Sequence, residues 1–279
     1  MATVESTPGA DLRVITEPEV YLIGRQTIET AELDRFLSDH GVSWQSDSEV
    51  AAEVVTETAG RTCYMSFAKP RPGGNAAYLE HIKEVGHGSV LEHGVWNFLF
   101  TGISRSLTHE LVRHRAGWGY SQLSQRYVDE SVAEYVEPDI IAADPELHAL
   151  WLDAVTHAHA AYVKLAEKLN AKLADPQAAA AAMLPPAADR TTRRKAARQA
   201  ARSVLPNATE TKIFVTANAR ALRHFLEQRG SAYAEPEIRK LACKLLDVLQ
   251  KESPNLFGDY TKVPLPDGTF ELTTPFKKV

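Results

Sequence analysis

Arg113, His114 and Arg115 place three nitrogen-rich side chains in a row, and a Gly- and aromatic-rich stretch then leads to Ser121, Gln122, Ser124, Gln125 and Arg126. Hydroxyls, amides and backbone N–H groups gathered around arginine make a cradle for a phosphate or a nucleotide. A cationic helix end followed by a plain polar loop would not need the further arginine at 126. A second basic feature is the run 190–206, where Arg190, Arg193, Arg194, Lys195, Arg198 and Arg202 stand without an acid. On a helix Lys195 and Arg202 are two turns apart and project to the same side, with Arg194 and Arg198 on a neighbouring stripe. Such a run is either a solvated face or a pair of cations for a phosphate monoester, which needs several donors to replace its water shell. In a third segment, read as a helix over 214–229, Asn218, Leu222, Phe225 and Arg229 form a stripe that is polar at both ends. Burying those ends without partners is costly, so they are exposed or meet a ligand.

Histidine is clustered too. His81, His87, His93, His109 and His114 fall within one short region. Imidazole is a common metal ligand, but there is no HExxH and no carboxylate at a ligand spacing, so structural or cofactor-facing histidines are the better reading. The composition narrows the classes further. The 279 residues are 44% hydrophobic and 24% charged, with a formal net charge of −5, which does not suit a dedicated nucleic-acid binder. Cys63 and Cys243 lie far apart, so neither a disulfide framework nor a zinc site is expected, and a reducing cytoplasm fits. No apolar run is long enough for a membrane span, and the first dozen residues lack the pattern of a signal peptide.

These groups need elements to hold them. β-branched runs around Val14 and Val20 read as strands, and 50–60 as a helix ending at Gly60. Asn75 is expected to cap a helix that runs to Val85 and stops at Gly86. Residues 95–100 read as a strand feeding a helix over 104–115. Apolar residues from Leu147 to Leu169 recur at helical spacing, predicting a long helix over 147–173. The Ala- and Pro-rich stretch 176–190 reads as a surface excursion. Helices over 191–205 and 214–229 follow, the second closed by Gly230 in a left-handed cap, and short strands flank Asp267-Gly268. The expected architecture is α/β: one domain over 1–279, a mixed sheet packed by long helices, with a flexible start over about 1–12.

Beyond these readings, RHRAGWGYSQLSQRY resembles the signature of the flavin-dependent thymidylate synthases. GRTCYMSF, GHGSVLEH, GISRSLTHELVRHR, ARQAARSVLPNATETK and NARALRHFLEQRGSAYAEPEIR occur in the order of that family, so the resemblance covers roughly 50–260. It implies the family's α/β fold and a homotetramer with active sites between subunits. It also implies FAD, NADPH as reductant, methylenetetrahydrofolate as carbon donor, and UMP or dUMP as acceptor, with neither nucleic acid nor membrane as partner. Carried over by position, His87, Ser89, Arg113, His114, Arg115, Asn218, Arg220 and His224 contact FAD. Arg105, Glu110, Gln122, Leu123, Ser124, Gln125, Arg126, Lys195, Arg202 and Arg229 hold the nucleotide. Arg229 is also the expected catalytic residue, polarising the pyrimidine as charge develops, since the family uses no cysteine nucleophile.

The chain departs from the family at two points. The spacer Ala116–Leu123 is one residue longer than the family pattern, with Gly117 and Gly119 able to absorb it and Trp118 adding a large flat side chain. Tyr233 stands where many members carry histidine. Both point to an altered cavity and to acceptance of UMP as well as dUMP, as in relatives serving nucleoside-antibiotic pathways; a strictly dUMP-specific enzyme is the alternative. A metal-dependent nucleotide hydrolase and a non-catalytic nucleic-acid binder are the more distant ones.

Overall fold

A computed structural model describes residues 12–132 and 134–279, together with the backbone of Val4–Ser6. The flexible start expected over 1–12 otherwise lies outside the described residues. The strands are β1 (Val4–Ser6), β2 (Arg13–Ile15), β3 (Glu19–Arg25), β4 (Val95–Ser104), β5 (Trp118–Gln122), β6 (Glu134–Val136), β7 (Glu210–Asn218), β8 (Thr261–Pro264) and β9 (Phe270–Thr273). The helices are α1 (Thr30–Asp39), α2 (Ala51–Thr62), α3 (Gly74–Glu84), α4 (Arg105–Leu111), α5 (Asp139–Ala142), α6 (Pro145–Lys172), α7 (Pro176–Ala181), α8 (Arg190–Ala201), α9 (Ala219–Arg229), α10 (Pro236–Glu252) and α11 (Pro254–Phe257). The class is α/β. The chain forms two compact units, each drawn from three stretches: 1–18, 101–109 and 122–213 make the first, and 19–100, 110–121 and 214–279 the second.

In the first unit β2 lies between β1, antiparallel to it, and β6, parallel to it. Tyr135 on β6 packs with Leu12 and with Val155 of α6 in a buried cluster. The 28-residue α6 starts as its sequence asks: the Asp144 side chain accepts from the N–H groups of Glu146 and Leu147, and Pro145 occupies the first turn. Helix α8 packs along α6, with Ala197 and Ala201 buried. The Ala-rich stretch begins as the short α7, capped by Asp175, and Met183 to Ala187 are largely exposed.

The second unit contains β3, β4 up to Phe100, β7 from Phe214 and β5 up to Ser121, in the order β3-β4-β7-β5. Trp96, Phe98 and Phe100 alternate into the core from β4, as do Val215 and Ala217 from β7, the period of two that marks a sheet with one covered face. Leu222, Phe225 and Leu226 of α9 and Leu241, Leu245 and Leu249 of α10 are wholly buried. Two arginines hold this core. Arg61 and Glu57, each 2% exposed, pair within α2, and the guanidinium lies 4.8 Å from the Tyr78 ring. Arg223 meets both oxygens of Asp259 at 2.8 and 2.9 Å, while Lys83 and Thr274 also donate to that carboxylate.

Several expected boundaries move. Helix 104–115 stops at Leu111, and the Gly- and aromatic-rich stretch after Arg115, whose glycines favour a loop, forms β5. The segment 214–229 is not one helix: β7 runs to Asn218, whose side chain accepts from the Ala221 N–H and caps α9. Asn218 is therefore a boundary residue, since the β-branched run before it favours a strand. Gly230 is not left-handed, with φ −84°; a Cβ there would fall 2.6 Å from Leu272 Cβ, so the glycine permits a close approach. Helix α2 passes Gly60 and ends at Thr62. Asn75 lies inside the first turn of α3, donating to Glu53 O and Glu57 rather than capping.

Burial alone would raise the Asp259 pKa, but the contacts from Arg223 and Lys83 outweigh it and hold the carboxyl at about 2. Arg223 has the larger effect on the carboxylate and Lys83 the smaller, and burial pulls Lys83 itself below its usual range. A depressed folded-state pKa stabilises fully above the ordinary value and loses that contribution as pH falls. The melting temperature of the native protein is therefore expected to drop from pH 3.8 towards 2. Asp259→Asn should flatten that limb and cost about 3–5 kcal/mol at neutral pH, because two buried cations lose their counter-charge.

Candidate cofactor and nucleotide sites

The second unit contains a cavity of about 950 Å³, lined by Arg113, His114, Arg115, Gly117, Trp118, Asn218, Arg220, His224 and Arg229, with Glu92, Glu227, Gln228 and Lys278 on its wall. Two segments make it. The turn after α4 carries Arg113 to Arg115, and the β7–α9 junction carries Asn218 and the first turns of the helix. They join where the Asn218 N–H donates to Gly117 O at 3.2 Å. Gly117 has φ +74°, and a Cβ on it would lie 2.8 Å from Ala221 Cβ. Glycine is required there by both conformation and space.

His114 sits among rings, 5.5 Å from His224 and 5.3 Å from Phe225 between centroids. Its burial, then the neighbouring Arg229 and His224, bring its pKa down to about 4. It is neutral at pH 7, and its Nε2 accepts from Arg229 Nε at 3.1 Å. That hydrogen bond assigns the proton to Nδ1. Arg229 also pairs with Glu110, the two side chains being 21% and 26% exposed. The Tyr120 hydroxyl donates to the carbonyls of Leu111 and His114, and burial pushes its pKa up, keeping it a donor. Arg220 pairs with Glu92 at 2.6 Å, and a Cβ on Gly88 would lie 2.8 Å from Arg220 Nε.

Six of the eight residues carried over to FAD thus line one cavity. His87 and Ser89 do not; they are exposed at the start of the 3₁₀ turn Gly88–His93. Arg229 and Glu110, assigned to the nucleotide, fall in the second unit as well.

The remaining nucleotide residues belong to the first unit, where Arg105, Gln125 and Arg202 line a cavity of about 460 Å³ with His109, Gln199 and Asn207. Among the described residues, the buried side-chain atoms without a hydrogen-bond partner are Arg105 Nε, Gln125 Nε2, Arg126 Nε, Glu130 Oε1 and Arg223 Nε. All but the last lie in this unit, and three of them are N–H donors, those of Gln125 and Arg126 standing in the signature and that of Arg105 on α4. Arg105 is anchored through Nη2 to Leu123 O at 2.9 Å, and burial lowers its pKa despite the nearby Glu130. Burial likewise raises the Glu130 pKa. Gln122 donates to Thr108 and Thr211, and Ser124 builds the turn that places Arg126, its hydroxyl accepting from the Arg126 N–H.

The paired projection expected of Lys195 and Arg202 is not kept. Helix α8 ends at Ala201 and Arg202 begins a 3₁₀ turn, so Arg202 reaches the cavity wall while Lys195 Nζ stacks 4.2 Å from the Tyr127 ring centroid and donates to its hydroxyl. Arg198 reaches Tyr127 O and Asp129. Trp118, expected to alter the cavity, does line it. Sequence reasoning passed over Glu92, which stands inside a quoted motif, and Glu130, which lies just beyond the signature and carries no pattern of its own. No group of three His, Cys, Asp or Glu among the described residues is placed to hold a metal ion, and no described helix is long and apolar enough to cross a membrane.

The donor set suits a dinucleotide: several arginines for a pyrophosphate, a neutral imidazole, an aromatic wall, and glycines where a Cβ would collide. Comparison with known proteins shows the family. Residues 47–255 match the family described as thymidylate synthase complementing protein. The chain is 50% identical over 242 residues to the flavin-dependent thymidylate synthase of Mycolicibacterium gilvum, covering 86% of this chain and 92% of the relative. It is 43% identical over 252 residues to that of Corynebacterium diphtheriae, covering 89% and 95%. Among solved structures, the UMP/dUMP methylase PolB from Streptomyces cacaoi bound with 5-Br dUMP matches with a TM-score of 0.57 at 21% identity, over 88% of this chain and 95% of that one. At that identity the likeness is one of fold. The class is that of a flavin-dependent methyltransferase. Within it, the chain belongs to the flavin-dependent thymidylate synthase family.

A depressed histidine pKa makes stability fall with pH, because the unfolded chain takes up a proton that the folded one refuses. For His114 the window is pH 6.5 to about 4. His114→Gln keeps an acceptor for Arg229 and removes the titration, so its melting temperature should fall less steeply across that window. Equal slopes in the two proteins would show that His114 is not held neutral.

Proposed function

We propose that this enzyme methylates C5 of dUMP, with FAD in the second unit's cavity, methylenetetrahydrofolate as carbon donor and NADPH as reductant. The observation that carries the reading is the set of unpartnered donors on Arg105, Gln125 and Arg126. Leaving such groups buried and unmet costs about 1–3 kcal/mol each, and a nucleotide phosphate is the acceptor they suit. Arg202, on the same cavity, adds positive charge. In the other cavity Arg113, Arg115 and Arg220 offset a pyrophosphate, and Asn218 orients it at the start of α9. When bound, reduced FAD supplies the hydride that completes the methyl group.

Arg229 acts on the pyrimidine. Its guanidinium, steadied by Glu110 and His114, stabilises the charge that develops on a ring carbonyl. A cysteine nucleophile has no support. Cys63 is exposed at the end of α2, and Cys243 is buried with its thiol pKa pushed up, which suppresses the thiolate. The family resemblance supports a cytoplasmic homotetramer in which residues of different subunits complete each active site, giving His87 and Ser89 a role there. Of the two acceptors expected, UMP and dUMP, this reading takes dUMP, and the names of the relatives of high identity, flavin-dependent thymidylate synthases, support it. The longer spacer, which favours UMP, lies on the wall of the cofactor cavity.

Purified protein should show a flavin absorption band near ~450 nm. Arg229→Ala should lower kcat about a hundredfold, the size of a lost oxyanion-type donor, and Cys63→Ala should leave it unchanged. Arg126→Ala should raise KM for dUMP. Comparing kcat/KM for dUMP and UMP tests the acceptor: a preference of about a thousandfold for dUMP fits a site that discriminates at the 2′-position, and near-equal values would replace dUMP by UMP/dUMP in the reading.

A further inference from the structure

Trp118 is the large flat side chain of the lengthened spacer. It lines the 950 Å³ cavity of the second unit. Its indole is fixed on several sides: parallel to Tyr120 at 5.7 Å and 6°, edge-on to Phe225 at 5.6 Å, and 6.2 Å from the His114 ring. Tyr120 is itself pinned by its hydroxyl to two carbonyls, 2.9 and 2.8 Å away. The backbone beside the indole is equally constrained, since Gly117 abuts Asn218 and Ala221. A large π surface held this firmly on the wall of a cation-lined cavity is preorganised for a flat ring, and ordering it costs a ligand little.

We propose that Trp118 is a stacking platform for the isoalloxazine ring of FAD, a positioning contact that the longer spacer brings to this chain. The inference rests on FAD occupying this cavity. The choice of isoalloxazine over adenine follows from the neighbours. Trp118 lies beside His114, whose Nε2 holds Arg229, and Arg229 is the group assigned to the pyrimidine. The ring that delivers hydride to that pyrimidine belongs at the same place. Arg220, held against Glu92, suits the pyrophosphate.

The test is a fluorescence titration of the flavin-stripped, full-length protein with FAD, in the native form, Trp118→Phe and Trp118→Leu. Indole is an electron donor to an excited flavin and phenyl is not, so the two substitutions separate stacking from quenching. The native protein should extinguish most flavin emission on binding. Trp118→Phe should bind within about threefold of the native affinity, because a ring is retained, yet leave the bound flavin brighter. Trp118→Leu should bind about tenfold more weakly, within the range of a lost ring stack. Unchanged affinity and emission in both variants would overturn the proposal. So would weaker binding with bound-flavin emission unaltered, which would put adenine over the indole. The melting temperature of Trp118→Phe controls for folding. Failure of the native protein to bind FAD at all is a different result, and it would overturn the functional reading together with this one.

Discussion

A guanidinium keeps its charge at every pH a cell reaches, so a buried arginine dictates what must surround it. In this protein that constraint separates scaffold from site. Arg61 is enclosed by Glu57, by the carbonyls of Ser66 and Lys69, and by the faces of Trp44 and Tyr78. Arg223 is matched to both oxygens of Asp259 and to the carbonyls of Leu256 and Phe276, with only its Nε unmet. Arg61 is saturated and Arg223 has both terminal nitrogens matched, and the two fasten helices to turns. Arg105 and Arg126 are buried at the nitrogen that has no acceptor. The same chemistry that locks one unit leaves the other ready for an anion.

Neutrality at His114 is the counterpart. A protonated imidazole would present only donors to Arg229, and two cationic donors cannot share a hydrogen bond. Burial among His224, Phe225 and Trp118 removes the proton and makes the ring an acceptor. Arg229 therefore approaches its ligand already oriented by Glu110 on one side and His114 on the other. Such preorganisation is what allows a fixed dipole or charge to act on a developing anion without reorganising first.

Much of this was legible in the sequence, and the misreadings have physical causes. The RHR turn, the basic helix α8 and the long α6 announce themselves through charge and periodicity. The junction at Asn218 did not, because Ile213, Val215 and Ala217 alternate at the strand period just before Leu222, Phe225 and Leu226 take up the helical one. The Asn between them was the readable signal, as a helix-capping residue. Trp118 and Tyr120 also share one side of β5 and stack there, a two-residue spacing that their flanking glycines disguised as a loop. The pairing of Lys195 with Tyr127 depends on a segment distant in sequence, and helix geometry alone cannot foresee it.

The interleaving of the chain has a consequence for how the protein is made. Each unit collects three separate stretches, and the second draws its last from 214–279. A ribosome therefore releases the first unit's final stretch before the helices that close the other core have been synthesised. The aromatic residues of β4 must wait for β7 and α9, which lie far along the chain, whereas the partners of Arg61 are all close to it in sequence. Nascent chains thus expose apolar surface until the last stretch is made, and trimming the gene to a single unit would break a core rather than isolate one.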